Sequence, residues 1–359
     1  MSSDFKTSAA THADQSGSSQ LYRVAIVGAS SPLGKEVAEV LNERNFPSAD
    51  VKLLDDDESL GKIEAVGDEV TFIQKVGTGE FRKMDFSFFA SDPASTRKAW
   101  RIARDAGSAI IDLSGALEDE PGAEVRSPWM ERQLGQVPAL ELQPGPAVVA
   151  HPAAVALALL MLRLRKAGKI HHALASVFVP ASELGQKGMD ELHEQTVNLL
   201  SFQPLPKNIF DLQVAFNMVS RYGEHSAASL SALEARVLRH YRKIVGPDIP
   251  LPSLLFLQAP IFHGYGFAFH VELDVPADIE KVGQVIAGEH IQLTHGAEDA
   301  PTNVSAAGQN DLQVSLLPDT AHPNGLWLWA TADNLRIAAS TAVECAESLA
   351  ATRPRGKIQ

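Results

Sequence analysis

The stretch "VAIVGASSPLGKEVAEVL", residues 24–41, restricts the fold more than any other part of this chain. Four apolar residues, Val24 to Val27, predict a strand buried on both faces. Gly28 to Gly34 form a short Gly/Ser turn, after which Val37, Val40 and Leu41 recur at helical spacing. A strand, a glycine turn and a helix in immediate succession open a right-handed β-α-β crossover, which requires a parallel sheet.

The following segments repeat that alternation. "VKLLDDD", "VTFIQKV", "DFSFFAS", "SAIIDLSG" and "PAVVAHP" read as further strands, and "RKAWRIARDAG" as a helix ended by Gly107. Residues 21–150 are therefore expected to form a Rossmann-like, α/β nucleotide-binding domain. Beyond residue 150 the character changes. "GQKGMDELHEQTVNLL" and "SALEARVLRHYRKIVG" are amphipathic helices. "KIHHALASVFVPAS", "SLLFLQAPIFHGYGFAFHVELDV", "IQLTH", "LQVSLLP" and "GLWLWATA" are strand-like, several of them long and aromatic. Residues 151–332 thus predict an α+β domain with an antiparallel or mixed sheet, one face on helices. A final helix, residues 333–352, has Asp333 or Asn334 as its cap.

A length of 359 residues allows two domains, and 45% hydrophobic with 21% charged residues is ordinary for a globular chain. The net charge of −13 argues against nucleic acid or an anionic membrane as partner. The longest apolar run, Val155 to Leu162, is far below the roughly 20 residues that span a bilayer. Residues 1–20 read as a flexible tail without a secretory apolar core, which points to a cytoplasmic protein. The single cysteine, Cys345, excludes an internal disulfide and sits in a small-residue helix suited to an inert buried thiol. His171 and His172 are adjacent on a strand, so they face opposite ways and cannot share a metal. No other spacing suggests one.

The turn after the first strand has the context of a phosphate-binding loop, with Gly28, Ser30, Ser31, Leu33 and Gly34 as candidate cofactor contacts. Ser31 stands where a G-x-x-G-x-x-G loop has its middle glycine; a serine adds bulk but offers a hydroxyl. Asp55, Asp56, Asp57 and Glu58 end the second strand. A carboxylate there, Asp56 in particular, accepts hydrogen bonds from a ribose diol and repels a 2′-phosphate, favouring NAD over NADP. Four adjacent acids can also be only a solvated loop, and the domain only structural.

Several separate segments together resemble the aspartate-semialdehyde dehydrogenase family: "VAIVGASSPLGKEVAEVL", "AGSAIIDLSGAL", "VVAHPAAVALALLMLRL", "VAFNMV", "RKIVG", "LQAPIFHGYGFAFHVEL" and "ADNLRIAAS". The resemblance implies a homodimer of a nucleotide domain and a substrate/dimerisation domain, with the last helix returning to the first domain. It also implies NAD(P)-dependent acyl-phosphate chemistry through a thioester, which needs a thiolate, an imidazole and a carboxylate-binding guanidinium. On the residues that match, the cysteine of the family's Asn-Pro-Asn-Cys turn falls on Ala154, with His151 and Ala153 replacing the asparagines. The family's arginine falls on Gln258, its histidine on Tyr265 and its glutamine on Val179. A phosphate-contacting arginine falls on Glu118, which would exchange attraction for repulsion, while a basic position survives as Arg236.

This pattern of departures resembles the Usg-type paralogues, which lack the nucleophile. It implies a dimeric dinucleotide- or partner-binding protein without the family reaction. Two rivals stay open. One is an oxidoreductase of altered chemistry built on Tyr265 or His263; the other is a structural subunit pairing with an active paralogue. His151, at a helix start, reads as a structural histidine or a proton carrier. Trp327 and Trp329 share one strand face and suit a packed sheet or a subunit interface.

Overall fold

The computed structural model describes residues 21–56, 61, 63–66, 69–136, 145–294 and 300–352. The expected tail, together with Asp57 and Glu58, lies outside the described residues. The chain opens with β1 (Tyr22–Val27), α1 (Pro32–Glu43) and β2 (Ser48–Asp55). A two-stranded hairpin of β3 (Ile63–Val66) and β4 (Glu69–Phe72) precedes the short β5 (Gln74–Lys75). Then come β6 (Phe86–Phe89), α2 (Pro93–Asp105), β7 (Ala109–Asp112), β8 (Glu124–Arg126), α3 (Pro128–Gln133) and β9 (Ala147–Val149). Seven of these strands form one sheet in the order β5-β2-β1-β6-β7-β9-β8, and every pairing is parallel. The "VTFIQKV" stretch is a correction to the expected single strand. It breaks at Ile73 into β4, which pairs only with β3, and β5, which joins the main sheet at its edge.

The second half begins with α4 (Pro152–Leu164), in which every residue from Ala153 to Leu164 is buried. Apart from Arg163, which donates to the Ala287 and Glu289 carbonyls, that stretch is apolar on every side and has to be enclosed on every side. It is followed by β10 (Ile170–Val179), a short 3₁₀ turn (Ala181–Leu184), α5 (Gly185–Leu200) and α6 (Leu230–Val245). Next are β11 (Ser253–Gln258), β12 (Tyr265–Leu273), α7 (Ile279–Ile286), β13 (Ile291–Leu293), α8 (Asn303–Ala306), β14 (Leu312–Pro318) and β15 (Gly325–Ala332). These strands make a mixed six-stranded sheet, order β11-β10-β12-β15-β14-β13. Alternation decides its two faces. Ala173, Ala175, Val177, Phe267 and Phe269 join α4 and α6 in one core. The other face carries Leu255, Leu317 and Trp327, all left exposed. Trp327 and Trp329 do share that face, and His171 and His172 are both exposed.

The last helix, α9 (Asn334–Thr352), returns to the first sheet. Its Ala339, Ala342, Val343 and Ala346 pack in the core formed by Val24, Ile26, Val37, Val40 and Phe86. Asp333 is the cap: Oδ1 accepts from the backbone N–H of Leu335 and Arg336, and Oδ2 from that of Gly308. One turn in, Arg336 is buried and donates to Glu36 at 2.9 Å, to Glu43, and to Asn310 at 2.9 Å, clasping α9 to α1. Removing one member of such a buried pair leaves the other charge uncompensated. The variant Arg336→Met is expected to lose about 3 kcal/mol of stability in urea unfolding. A loss below about 1 kcal/mol would assign the clasp the weight of a surface pair.

Candidate functional site: a nucleotide cavity and a filled cleft

The turn between β1 and α1 is held closed from within. Gly28 has φ +83°, and a Cβ there would lie 2.5 Å from the Ser91 nitrogen. At Gly34 a Cβ would lie 2.2 Å from the Gly28 carbonyl oxygen, so only glycine lets α1 start this close to β1. Ser31 caps α1: its hydroxyl accepts from the Gly34 N–H at 2.9 Å and donates to the Ala90 carbonyl at 3.0 Å. The hydroxyl expected for a phosphate is therefore committed to the protein. Asp55 ties the loop to β2, accepting from the Ser30 N–H at 2.7 Å and the Asp56 N–H at 2.9 Å. In the first turn, the Leu33 N–H has no acceptor among the described residues, and it points from a helix start where anions are favoured.

Beside this loop lies a cavity of about 420 Å³, in the size range of small-molecule sites. Gly28, Ser31 and Ser91 line it together with Val27, Val76, Ala99 and Ile102, while Asp55, Asp56, Asp92, Lys75 and Lys98 supply charge. An apolar wall beside a glycine turn and carboxylates suits the adenosine half of a dinucleotide. Of the candidate contacts, Gly28, Ser31 and Asp56 line the cavity; Ser30 and Gly34 shape the loop behind it.

The positions expected to mark a catalytic cleft are all closed: Ala154, Val179, Gln258 and Tyr265 are each fully buried. Around the start of α4 a hydrogen-bonded cluster occupies the space. His151 caps the helix by accepting from the Ala153 N–H at Nδ1. That leaves its proton on Nε2, 3.0 Å from Glu183 Oε1. Tyr265 donates to the other oxygen of Glu183 at 2.6 Å. Burial alone would raise the Glu183 carboxyl, but His151 and Tyr265 outweigh it and hold it below the ordinary carboxylate range. Burial and the Glu183 charge push the Tyr265 phenol well above its ordinary value, so it serves as a donor and not as a base. Gln258 is equally committed: its amide donates to the carbonyls of Val179 and Ala259 and accepts from Tyr222 at 2.8 Å. Tyr265 faces His151 and Glu183, and the His263 backbone carbonyl accepts from the Asn303 side chain.

A second charged cluster bridges the two sheets. Glu118, from the segment after β7, receives Arg236 Nε at 2.5 Å and Arg239 Nη2 at 3.0 Å, both from α6. The repulsion expected of Glu118 is instead neutralised by these two guanidinium groups. Burial works to raise its carboxyl, yet His240, Arg236 and Arg239 hold it far below the ordinary range. His240 Nδ1 accepts from the His151 N–H at 2.9 Å, linking this cluster to the first. Glu183, His240, Tyr222 and Arg239 were not singled out from the sequence. Each belongs to an unremarkable polar stretch, and only the fold brings them together. Cys345 is buried in α9, and burial pushes its thiol up to about 12. Among the described residues, no group of three or more His, Cys, Asp or Glu is placed to hold a metal, and no helix is long and apolar enough to cross a membrane.

A glycine-turn parallel sheet with a nucleotide-sized cavity, joined to a mixed-sheet half, defines an α/β protein with a Rossmann-like first half. Residues 23–143 match the semialdehyde dehydrogenase NAD binding domain and residues 161–337 the semialdehyde dehydrogenase dimerisation domain. The chain belongs to the aspartate-semialdehyde dehydrogenase family. It is 32% identical to the USG-1 protein homolog of Pseudomonas aeruginosa, over 90% of this chain and 95% of that protein. It is 26% identical to the aspartate-semialdehyde dehydrogenase of Rickettsia bellii, over 92% and 98%. The crystal structure of aspartate semialdehyde dehydrogenase II from Vibrio cholerae, complexed with ASA, superposes with a TM-score of 0.79 at 26% identity, covering 92% of this chain and 98% of that one.

Because the Glu118 carboxyl is held below its ordinary value, it stabilises the folded chain above the unfolded value of 4.5, and that contribution fades as pH falls toward the folded value. Comparison of wild type with Glu118→Gln by urea unfolding is expected to show a gap of about 2 kcal/mol at neutral pH. The gap should hold down to about pH 5.5 and close on further acidification. A gap independent of pH would contradict the ion-pair assignment.

Proposed function

We propose that this chain is a homodimeric, dinucleotide-binding member of the family that does not carry out the thioester-forming reaction. The observation that carries the reading is the start of α4, where the residue at the family's nucleophile position is Ala154, a buried methyl group. A thioester needs a soft, ionisable sulfur. The chain's one sulfhydryl, Cys345, is buried in α9 against the first sheet with its acidity suppressed. Gln258 and Tyr265 stand where the family's substrate-binding arginine and proton-moving histidine would be, and both already have protein partners.

The dinucleotide is retained in this reading because the loop keeps what binding requires. Gly28 and Gly34 let α1 start directly against β1, the Leu33 N–H at that helix start has no acceptor among the described residues, and the cavity beside the loop has the size for a nucleoside. A nicotinamide dinucleotide would supply hydride-transfer capacity when bound; the chain's own residues would hold its phosphates at the α1 start and its ribose beside Asp56. That carboxylate favours NAD over NADP. The exposed apolar residues Leu255, Leu317 and Trp327 on the outer face of the second sheet supply the surface for a second copy.

In an assay with aspartate semialdehyde, phosphate and NAD or NADP, turnover is expected to fall more than about 10⁴-fold below an active relative. Restoring the sulfur alone with Ala154→Cys is expected to leave it there, because Val179, Gln258 and Tyr265 remain at the other family positions. Isothermal titration should show NAD binding more tightly than NADP. Sedimentation should show a dimer that Trp327→Asp dissociates. Robust turnover by the wild type would overturn the reading of lost catalysis; no affinity for either dinucleotide would overturn retained binding.

A further inference from the structure

Three side chains on α6, Arg236, Arg239 and His240, lie at i, i+3 and i+4 and so share one face of the helix. All three converge on the single carboxylate of Glu118, which comes from the other half of the molecule. The match is incomplete in a specific way. Arg236 engages Oε1 through Nε and Arg239 engages Oε2 through one terminal nitrogen, so neither forms the two-pronged pair a guanidinium offers. His240 Nε2 lies 3.0 Å from Oε1, yet its N–H is not directed at an acceptor, although the ring is only 1% exposed. Its Nδ1 already accepts from the His151 N–H, so the ring's proton resides on Nε2. Two carboxylate oxygens thus face three donor groups, and one buried donor is poorly served. A tetrahedral oxyanion carries a further oxygen.

We propose that Glu118 is an internal ligand: its carboxylate fills an oxyanion position formed by Arg236, Arg239 and His240 and bars small oxyanions from the space between the two sheets. The close packing around it fits this role. At Gly115, three residues earlier on the same segment, an added Cβ would lie 1.9 Å from Arg236 Nη2 and 2.7 Å from Glu118 Oε1, so the segment lies directly against the guanidinium. A glycine with φ +69° permits that approach. Exclusion acts through charge and through occupied donors, and it does not depend on whether the chain has kept or lost catalysis.

The test is a titration of the full chain with inorganic phosphate at constant ionic strength, with chloride as the control anion. Wild type is expected to show no saturable binding. Glu118→Ala vacates the position and should bind phosphate at least about tenfold more tightly than wild type. Adding Arg236→Met and Arg239→Met to that variant should abolish the gain. Glu118→Gln keeps the size and drops the charge, and should show a smaller gain if Glu118→Ala fails to fold. Phosphate affinity equal in wild type and a folded variant would overturn the proposal. So would failure of both variants to fold even in saturating phosphate, because the anion should then replace the missing carboxylate. Dinucleotide binding and turnover, measured separately, report on the functional reading alone.

Discussion

A helix with no polar side imposes the architecture. From Ala153 to Leu164 every residue of α4 is buried, so both halves of the chain must cover it. The mixed sheet with α6 covers one part, and α3, α7 and α9 touch others. Its first turn is where a capping side chain and the Ala153 N–H meet, and every polar group in that turn has to be satisfied inside protein. His151 meets the requirement at the helix start, and Glu183, Tyr265 and His240 then meet the requirements that His151 creates.

Apart from His240 Nε2, the polar side chains of that cluster are paired within the protein. Tyr265, Gln258 and Tyr222 each have defined protein partners, and each of their polar protons is given to a protein acceptor. Satisfied buried networks rigidify a core and specify one packing. Gln258 and Tyr265 are thus part of the scaffold, while the loop at 28–34 combines two close-packed glycines with a helix start.

Much of this was readable from the chain alone, for physical reasons that differ by element. The β1-turn-α1 unit was legible because its constraints are local: an apolar run, a positive-φ glycine and a cap within one short span. The long amphipathic helices α5 and α6 fell where periodicity placed them. β8, α3 and α7 were not foreseen, since each is short and owes its conformation to neighbours more than to pattern. "VTFIQKV" misled because a continuous apolar run does not reveal that its two ends pair in different sheets. The substituted positions could be named from resemblance. Their replacements' partners could not, because Glu118, Glu183 and His240 are brought to their places by contacts far apart in sequence.

The return of α9 has a consequence for biosynthesis. The core beside β1 and α1 is closed by Ala339, Ala342, Val343 and Ala346, more than 290 residues after the strand they cover. While the chain is being made, the apolar face beside those strands stays open until α9 leaves the ribosome. The core begun by β1 and α1 is therefore completed only by α9. The intervening polypeptide must fold, or be held by chaperones, with that face still wet.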